Sequence, residues 1–367
     1  MPLRFRKQVI SATGYEAAGV ADVDGDGVPD LVCGGFWYRG PDFRQRFAIR
    51  PATEHFEYRD DFSAILMDVA GDGRPSVITG GWWGDRLVWR RNPGVTPAAW
   101  QEHLWEELVI ADGVGNIETT LAADIDGDGE AEILPNTPNH PLVAYKLQRD
   151  AAGRGTGAFT RHVIHPAGLG HGLGVGDVDG DGRAEIVTPK GILHAPADPL
   201  DGPWELRPGP DFGHKDLSVP VIVADINGDG VAELIVGHAH SYGLDWYEQR
   251  REGGVVRWLR HPIDPECAQY HCLAWADLAG DGRKVLVAGK RHRAHLGNDV
   301  GDDDEPSLSY FTWTGEGFTK QPIAHGPLGT GKGCGIRFAL ADLRGSGRLD
   351  IVAPGLDGLC VFWNEGR

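Results

Sequence analysis

The sequence predicts an all-β fold, a seven-bladed β-propeller of four-stranded blades occupying residues 1–367 as one domain, and three observations carry that expectation. The first is a nine-residue acidic motif written seven times, beginning at Asp22, Asp68, Asp124, Asp177, Asp225, Asp277 and Asp342, at spacings of 46, 56, 53, 48, 52 and 65 residues. A repeat of about this period marks an array of blades. The second is the company each copy keeps: an apolar alternating segment before it ("SAILM", "LGVG", "VIVA") and another after it ("DLVCGG", "AEILPN", "AELIVGH"). The third is that no stretch shows a helical period of useful length.

Within a blade, the segment entering the motif reads as the first strand and the segment leaving it as the second. An aromatic run such as "LVWRRN", "LDWYEQ" or "LCVFWN" supplies the third strand, and "FTRHVIH" and "FTKQPIAH" are fourth strands. The seventh copy is followed only by "GLCVFWNEGR", a third strand, while "FRKQVI" at residues 5–10 has fourth-strand character and precedes blade one. The N-terminal strand is therefore expected to complete the last blade, so that no sheet edge stays open.

The motif begins like an EF-hand, but "DVDGDGVPD" at residues 22–30 runs into "LVCGGFWY", a strand, where an EF-hand continues to a glutamate and a helix. What remains is a loop whose alternate carboxylates and intervening glycines can wrap a hard cation. Four loops keep acids or an amide at positions one, three, five and nine: Asp22, Asp24, Asp26, Asp30; Asp124, Asp126, Asp128, Glu132; Asp177, Asp179, Asp181, Glu185; and Asp225, Asn227, Asp229, Glu233. These are expected to be structural Ca2+ sites, with Mg2+ the substitute where calcium is scarce. Three loops have lost ligands, through Ala70 and Ser76, Ala279 and Val285, and Arg344 and Ser346, and Arg344 is expected to put its guanidinium where a metal would sit.

A net charge of −18 without any Lys/Arg run excludes nucleic acid and an anionic membrane surface as partners. The N-terminal "MPLRFRKQVISATGYE" lacks the apolar centre of a signal peptide, and no run reaches membrane-spanning length, so a cytoplasmic location is expected. The five cysteines form no CxxC pair and are odd in number, which points to free thiols.

The pattern DxDGDGxxD/E between two apolar strands resembles the FG-GAP (VCBS) repeat of calcium-binding β-propellers. That resemblance implies the ring and the loop calcium. It leaves activity open, because such propellers include integrin heads, lectin-like modules, polysaccharide lyases and sugar dehydratases.

Because each acidic loop joins a first strand to a second, the start of the first strand lies at the opposite end of the ring, where a working face is expected. Six residues before each leading aspartate stand Glu16, Phe62, Glu118, His171, Val219, His271 and Ile336, and the two histidines and two glutamates among them are expected to point toward the central funnel. Loops after the second strands add Trp82, Trp83, Lys190, His238, His240, Lys290, Arg291, His292 and His295, with Asp61 and Tyr270 nearby. Tryptophan at a rim suits the C–H faces of sugar rings.

Three stretches, "GHGLGVGDVDGDGRAEIVTPKG", "DINGDGVAELIVGHAHSYGLDWYEQ" and "AGKRHRAHLGND", resemble the propeller domain of fungal aldos-2-ulose dehydratases, also called 1,5-anhydro-D-fructose dehydratases. The resemblance implies a lyase that eliminates water from a keto-sugar. Such chemistry needs a base, positive groups for the enolate oxygen and an acid for the departing hydroxyl. The expected base is His171, the enolate stabilisers Lys190, Lys290 or Arg291, and the acid His271 or Tyr270. Glu16, Asp61, Trp82, Glu118, His238, His240, His292 and His295 are the expected substrate contacts. One alternative is a polysaccharide lyase acting beside a uronic acid, and another adds a catalytic transition metal held by His238 and His240 with His271 or Glu118. A third, from a different class, is a non-catalytic, calcium-dependent propeller binding carbohydrate or protein.

Overall fold

The computed structural model describes residues 2–94, 96, 100 and 103–367. Among these residues the strands form seven four-stranded antiparallel sheets and one two-stranded hairpin, which is the seven-bladed propeller the repeats predict. Blade 3 shows the plan: Thr119–Ala123 on the inside, then Glu132–Asn136, Leu142–Arg149 and Gly155–His165 outermost. Its burial follows, since the second strand is buried throughout and the fourth is mostly exposed or half-buried.

Arg4–Ser11 pairs antiparallel with Leu359–Gly366 and becomes the fourth strand of blade 7, beside Ala339–Ala341 and Asp350–Ala353. The first strand in sequence thus seals the ring. Apolar clusters sit between neighbouring blades, such as the one joining Leu234, Val236 and Tyr247 of blade 5 to Val187 and Ile192 of blade 4.

The inner wall is also bonded from blade to blade near the funnel. Leu217 N–H donates to His171 O at 2.8 Å, Val219 N–H to His271 O at 2.8 Å, and Arg337 N–H to Glu16 O at 2.9 Å. Residues six before the acidic loops are therefore fixed by the adjoining blade as well as their own. The hairpin Glu54–His55 and Tyr58–Arg59 leaves the blade 1–2 connection and reaches blade 6, where the Tyr58 hydroxyl donates to Arg293 O and accepts the Leu296 N–H.

Candidate functional site

At the end of the ring remote from the acidic loops lies a cavity of about 680 Å³, and Trp82, Glu118, His171, Lys190, His240 and His295 are among its lining. His171 comes from the "GHG" turn entering blade 4, where Gly172 has φ of 139° and a Cβ on it would lie 2.7 Å from the Leu217 Cβ. The turn lets the imidazole lie against its neighbour: His171 Nδ1 donates to Leu217 O at 2.7 Å. That bond places a proton on Nδ1, so that in the neutral ring Nε2 carries the lone pair, 3.9 Å from Glu118 Oε1. Nε2 is buried without a hydrogen-bond partner, in a residue only 6 % exposed.

Beside it, Asp299 holds two imidazoles. Its Oδ2 accepts from His240 Nδ1 at 2.6 Å and its Oδ1 from His295 Nδ1 at 2.9 Å, and the two rings stack 4.4 Å apart. The Asp299 hydrogen bond holds His295 above its usual pKa, whereas burial pushes His240 below. Burial raises the Asp299 carboxyl, but its two histidine bonds outweigh that and hold it well below the carboxylate range.

The floor is an ion cluster assembled across the ring. Arg291, 2 % exposed, donates Nε and Nη2 to the two oxygens of Glu16, both at 2.8 Å, and Nη1 to Glu118 Oε1 at 2.8 Å. Nη1 also lies 3.0 Å from His271 Nε2. A guanidinium only donates, so that nitrogen must be unprotonated and His271 neutral. Burial, reinforced by the Arg291 charge, pushes the His271 pKa well down in the same sense. Burial raises the Glu118 carboxyl, but the Arg291 guanidinium bonded to it outweighs that and keeps it ionised.

The structure thus brings Glu16, Glu118, His171, His240, His271, Arg291 and His295 together, with Trp82 and Lys190 on the wall. The remaining expected residues lie elsewhere. Lys290 is fully buried, donating to Gln269 Oε1 and Arg291 O, and burial lowers its pKa. The Tyr270 hydroxyl donates to Asp264 at 2.6 Å, and burial pushes its pKa well up, so it is no acid for the cavity. His238 is fully buried against Asp245 at 2.6 Å. Asp61 joins Arg50 of blade 1 to Arg90 of blade 2, and His292 packs close to Gly333 and does not line the cavity.

Asp299 lines the cavity without having been expected there, while Lys215, expected near the working face but given no role, lines it too. The available signal for Asp299 was its position four residues after His295 in an acidic segment. A histidine fixed in one tautomer needs an acceptor, and a nearby carboxylate is the usual one.

Several groups of side chains could hold a metal ion, in the funnel and among the acidic loops. In the funnel, one donor atom from each of Glu118, His171, His240 and His271 lies within 4.8 Å of the others. Three imidazoles and a carboxylate suit a divalent transition metal, and the orphaned His171 Nε2 fits such a role. Among the loops, the sets Asp22, Asp24, Asp30; Asp124, Asp126, Glu132; and Asp179, Glu185, His194 have equally close donors.

The loops nevertheless differ. In every intact one the leading aspartate is committed to backbone N–H groups, as Asp22 is to Gly25, Asp26 and Gly27. Asp124, Asp177 and Asp225 accept from the equivalent glycines. In blade 1, Arg39 bonds Asp24 and Asp26 at 2.6 and 2.9 Å. In blade 3, Lys146 Nζ bonds Asp126, Asp128 and Glu132 at 2.5, 2.7 and 3.0 Å. Arg344 reaches Asp350 in blade 7 at 3.1 Å. Among the described residues no Lys or Arg side chain bonds Glu185 or Glu233, and burial pushes both carboxyls up to about 7.

No family model matches the chain, and no curated protein does. Among solved structures, the exotype rhamnogalacturonan lyase YesX is 15 % identical with a TM-score of 0.48, over 98 % of this chain and 73 % of its own. Rhamnogalacturonan lyase YesW is 16 % identical with a TM-score of 0.48, over 99 % and 76 %. BBS1N, solved in complex with ARL6DN, is 13 % identical with a TM-score of 0.51, over 99 % and 96 %. At such identities the likeness is one of fold.

Proposed function

We propose that the funnel is the active site of a carbon–oxygen lyase that eliminates across a sugar, starting with proton abstraction beside a carbonyl or carboxylate. The observation that carries the reading is His171: a tautomer fixed by Leu217 O, with a buried, unpartnered Nε2 in the wall of a sugar-sized cavity. A base needs a lone pair aimed at substrate, and a nitrogen without a competing donor meets that need. The acid is His295, whose bond to Asp299 favours its protonated form. Lys190 and Lys215 supply positive charge for an enolate or carboxylate oxygen, and Trp82 offers a face for a sugar ring.

In this reading Arg291 does not touch the enolate, because its donors are committed to Glu16, Glu118 and His271. It keeps Glu118 ionised and His271 neutral. A divalent transition metal held by Glu118, His171, His240 and His271 would polarise the substrate carbonyl as a Lewis acid. With its Nε2 on the metal His171 could not serve as the base, so the metal is an alternative to the His171 reading, one in which Asp299 would orient His240 from behind.

The resemblance of the segment around His171 to keto-sugar dehydratases supports a keto-sugar substrate. Two lysines at an open rim favour the second reading, a uronic-acid glycan whose carboxylate they would neutralise. The test is incubation with 1,5-anhydrofructose, glucosone and a panel of uronic-acid glycans, following the ultraviolet absorbance of an unsaturated product. His171→Ala is expected to lower turnover by ~10²–10⁴-fold. Glycan binding with no absorbance change on any substrate would instead mark a binding propeller, and full turnover by His171→Ala would remove the proposed base.

A further inference from the structure

We propose that the blade 4 acidic loop is a site for a divalent transition metal of the zinc type, liganded by Asp179, Glu185 and His194, and not a calcium loop. The argument comes from comparing the repeats with one another. In each intact loop the ninth position begins the second strand, and cross-strand register decides which third-strand residue faces it. Continuing the pairs Leu31↔Tyr38, Ile133↔Tyr145, Ile186↔Leu193 and Leu234↔Tyr247 by one residue sets Arg39 opposite Asp30, Lys146 opposite Glu132, His194 opposite Glu185, and Glu248 opposite Glu233.

The residue at that register position determines what the loop can accept. Arg39 and Lys146 put their own positive charge among the carboxylates of blades 1 and 3. These two loops show where a cation belongs. Blade 4 presents an imidazole at the same place. His194 Nδ1 lies 3.4 Å from Asp179 Oδ2 and 3.6 Å from Glu185 Oε1, and the three donors lie within 4.8 Å of one another. Two donors each ~2.0–2.1 Å from a tetrahedral zinc stand roughly 3.3–3.5 Å apart, which the observed separations match closely.

Glu185 supplies a second and independent indication. The residue is 2 % exposed, and its Oε2 accepts the N–H groups of Val178 and Asp179. Its Oε1 is turned toward His194 and has no hydrogen bond among the described residues. In blade 3 the equivalent oxygen, Glu132 Oε1, is met by Lys146. An imidazole beside two carboxylates selects a borderline metal over calcium, which prefers six to eight oxygens.

The full chain is treated with chelator, dialysed, and titrated with Zn2+ alone in the presence of excess Ca2+, and bound zinc per chain is measured by equilibrium dialysis. His194→Ala and His194→Gln are expected to lose one zinc equivalent relative to the parent. His171→Ala, which alters the funnel cluster, is expected to keep that equivalent, so the two sites are read separately. Conversely, Lys146→His should add one equivalent in blade 3. The proposal is overturned if both His194 variants bind as much zinc as the parent, or if calcium displaces the equivalent. A Lys146→His chain that gains none would overturn the register rule on which it rests.

Discussion

Replacing Arg291 with methionine removes the only positive side chain bonded to Glu16 and Glu118 among the described residues, and leaves two carboxylates in a site where both residues are almost wholly buried. Methionine fills similar space, so the loss is one of charge and hydrogen bonds and not of bulk. Breaking a buried ion pair from one side costs ~3–5 kcal/mol, because the remaining charge is desolvated and uncompensated. Unfolding entropy of ~2.1 cal/mol/K per residue gives roughly 0.8 kcal/mol/K for a chain of 367 residues. The expected fall in Tm is therefore ~4–6 °C, measured by calorimetry or circular dichroism at neutral pH. The triple variant Arg291→Met, Glu16→Gln, Glu118→Gln should regain most of it, since no charge is then left unpaired. A loss below ~1 °C, or a triple variant no better than the single, would refute the account of the cluster as a mutually neutralised unit.

Removal of residues 2–12 takes the outermost strand from blade 7 and exposes the Leu359–Gly366 edge, so the cooperative melting transition should disappear; an unchanged Tm would show that the ring closes without it. Asp299→Asn should lower kcat by ~10–100-fold on whichever substrate responds, through loss of orientation of His240 and His295, with far less effect on the Tm. Asp264 is raised by burial but more strongly lowered by bonds from Lys320 and Tyr270, so its native pKa lies below the unfolded value. Its stabilisation is thus complete above the unfolded carboxylate pKa of ~3.9 and fades as pH falls through the native one. Lys320→Met should move acid unfolding to higher pH, and superimposable acid transitions would contradict that assignment.

The ring was legible because it is a repeat: seven loops in register announce seven blades, and the unpaired third strand at one end matches the spare fourth strand at the other. The funnel was partly legible for the same reason. Counting back from each leading aspartate selects Glu16, Glu118, His171 and His271, which the structure brings into one cluster. The engagement of Arg291 could not be read in advance, since its partners Glu16 and Glu118 lie 275 and 173 residues away along the chain. Which cations neutralise the acidic loops was hidden for a different reason. Lys146 reaches its loop across strands, and the register follows from hairpin lengths that vary between blades, from the two-residue turn before Phe36 to the sixteen residues between Lys290 and Ser307.

The Arg291 cluster also determines how a long molecule could meet this protein. Beyond it, toward the acidic loops, the inner strands line a separate, open hollow of about 470 Å³ whose walls are largely small and apolar residues such as Ala18, Ala64, Ala122 and Phe338. The bore of the ring is therefore a blind well with a charged bottom. A polymer cannot thread through it, so under the proposed lyase reading a glycan would have to offer a chain end or lie across the mouth, and product would leave by the opening through which substrate came.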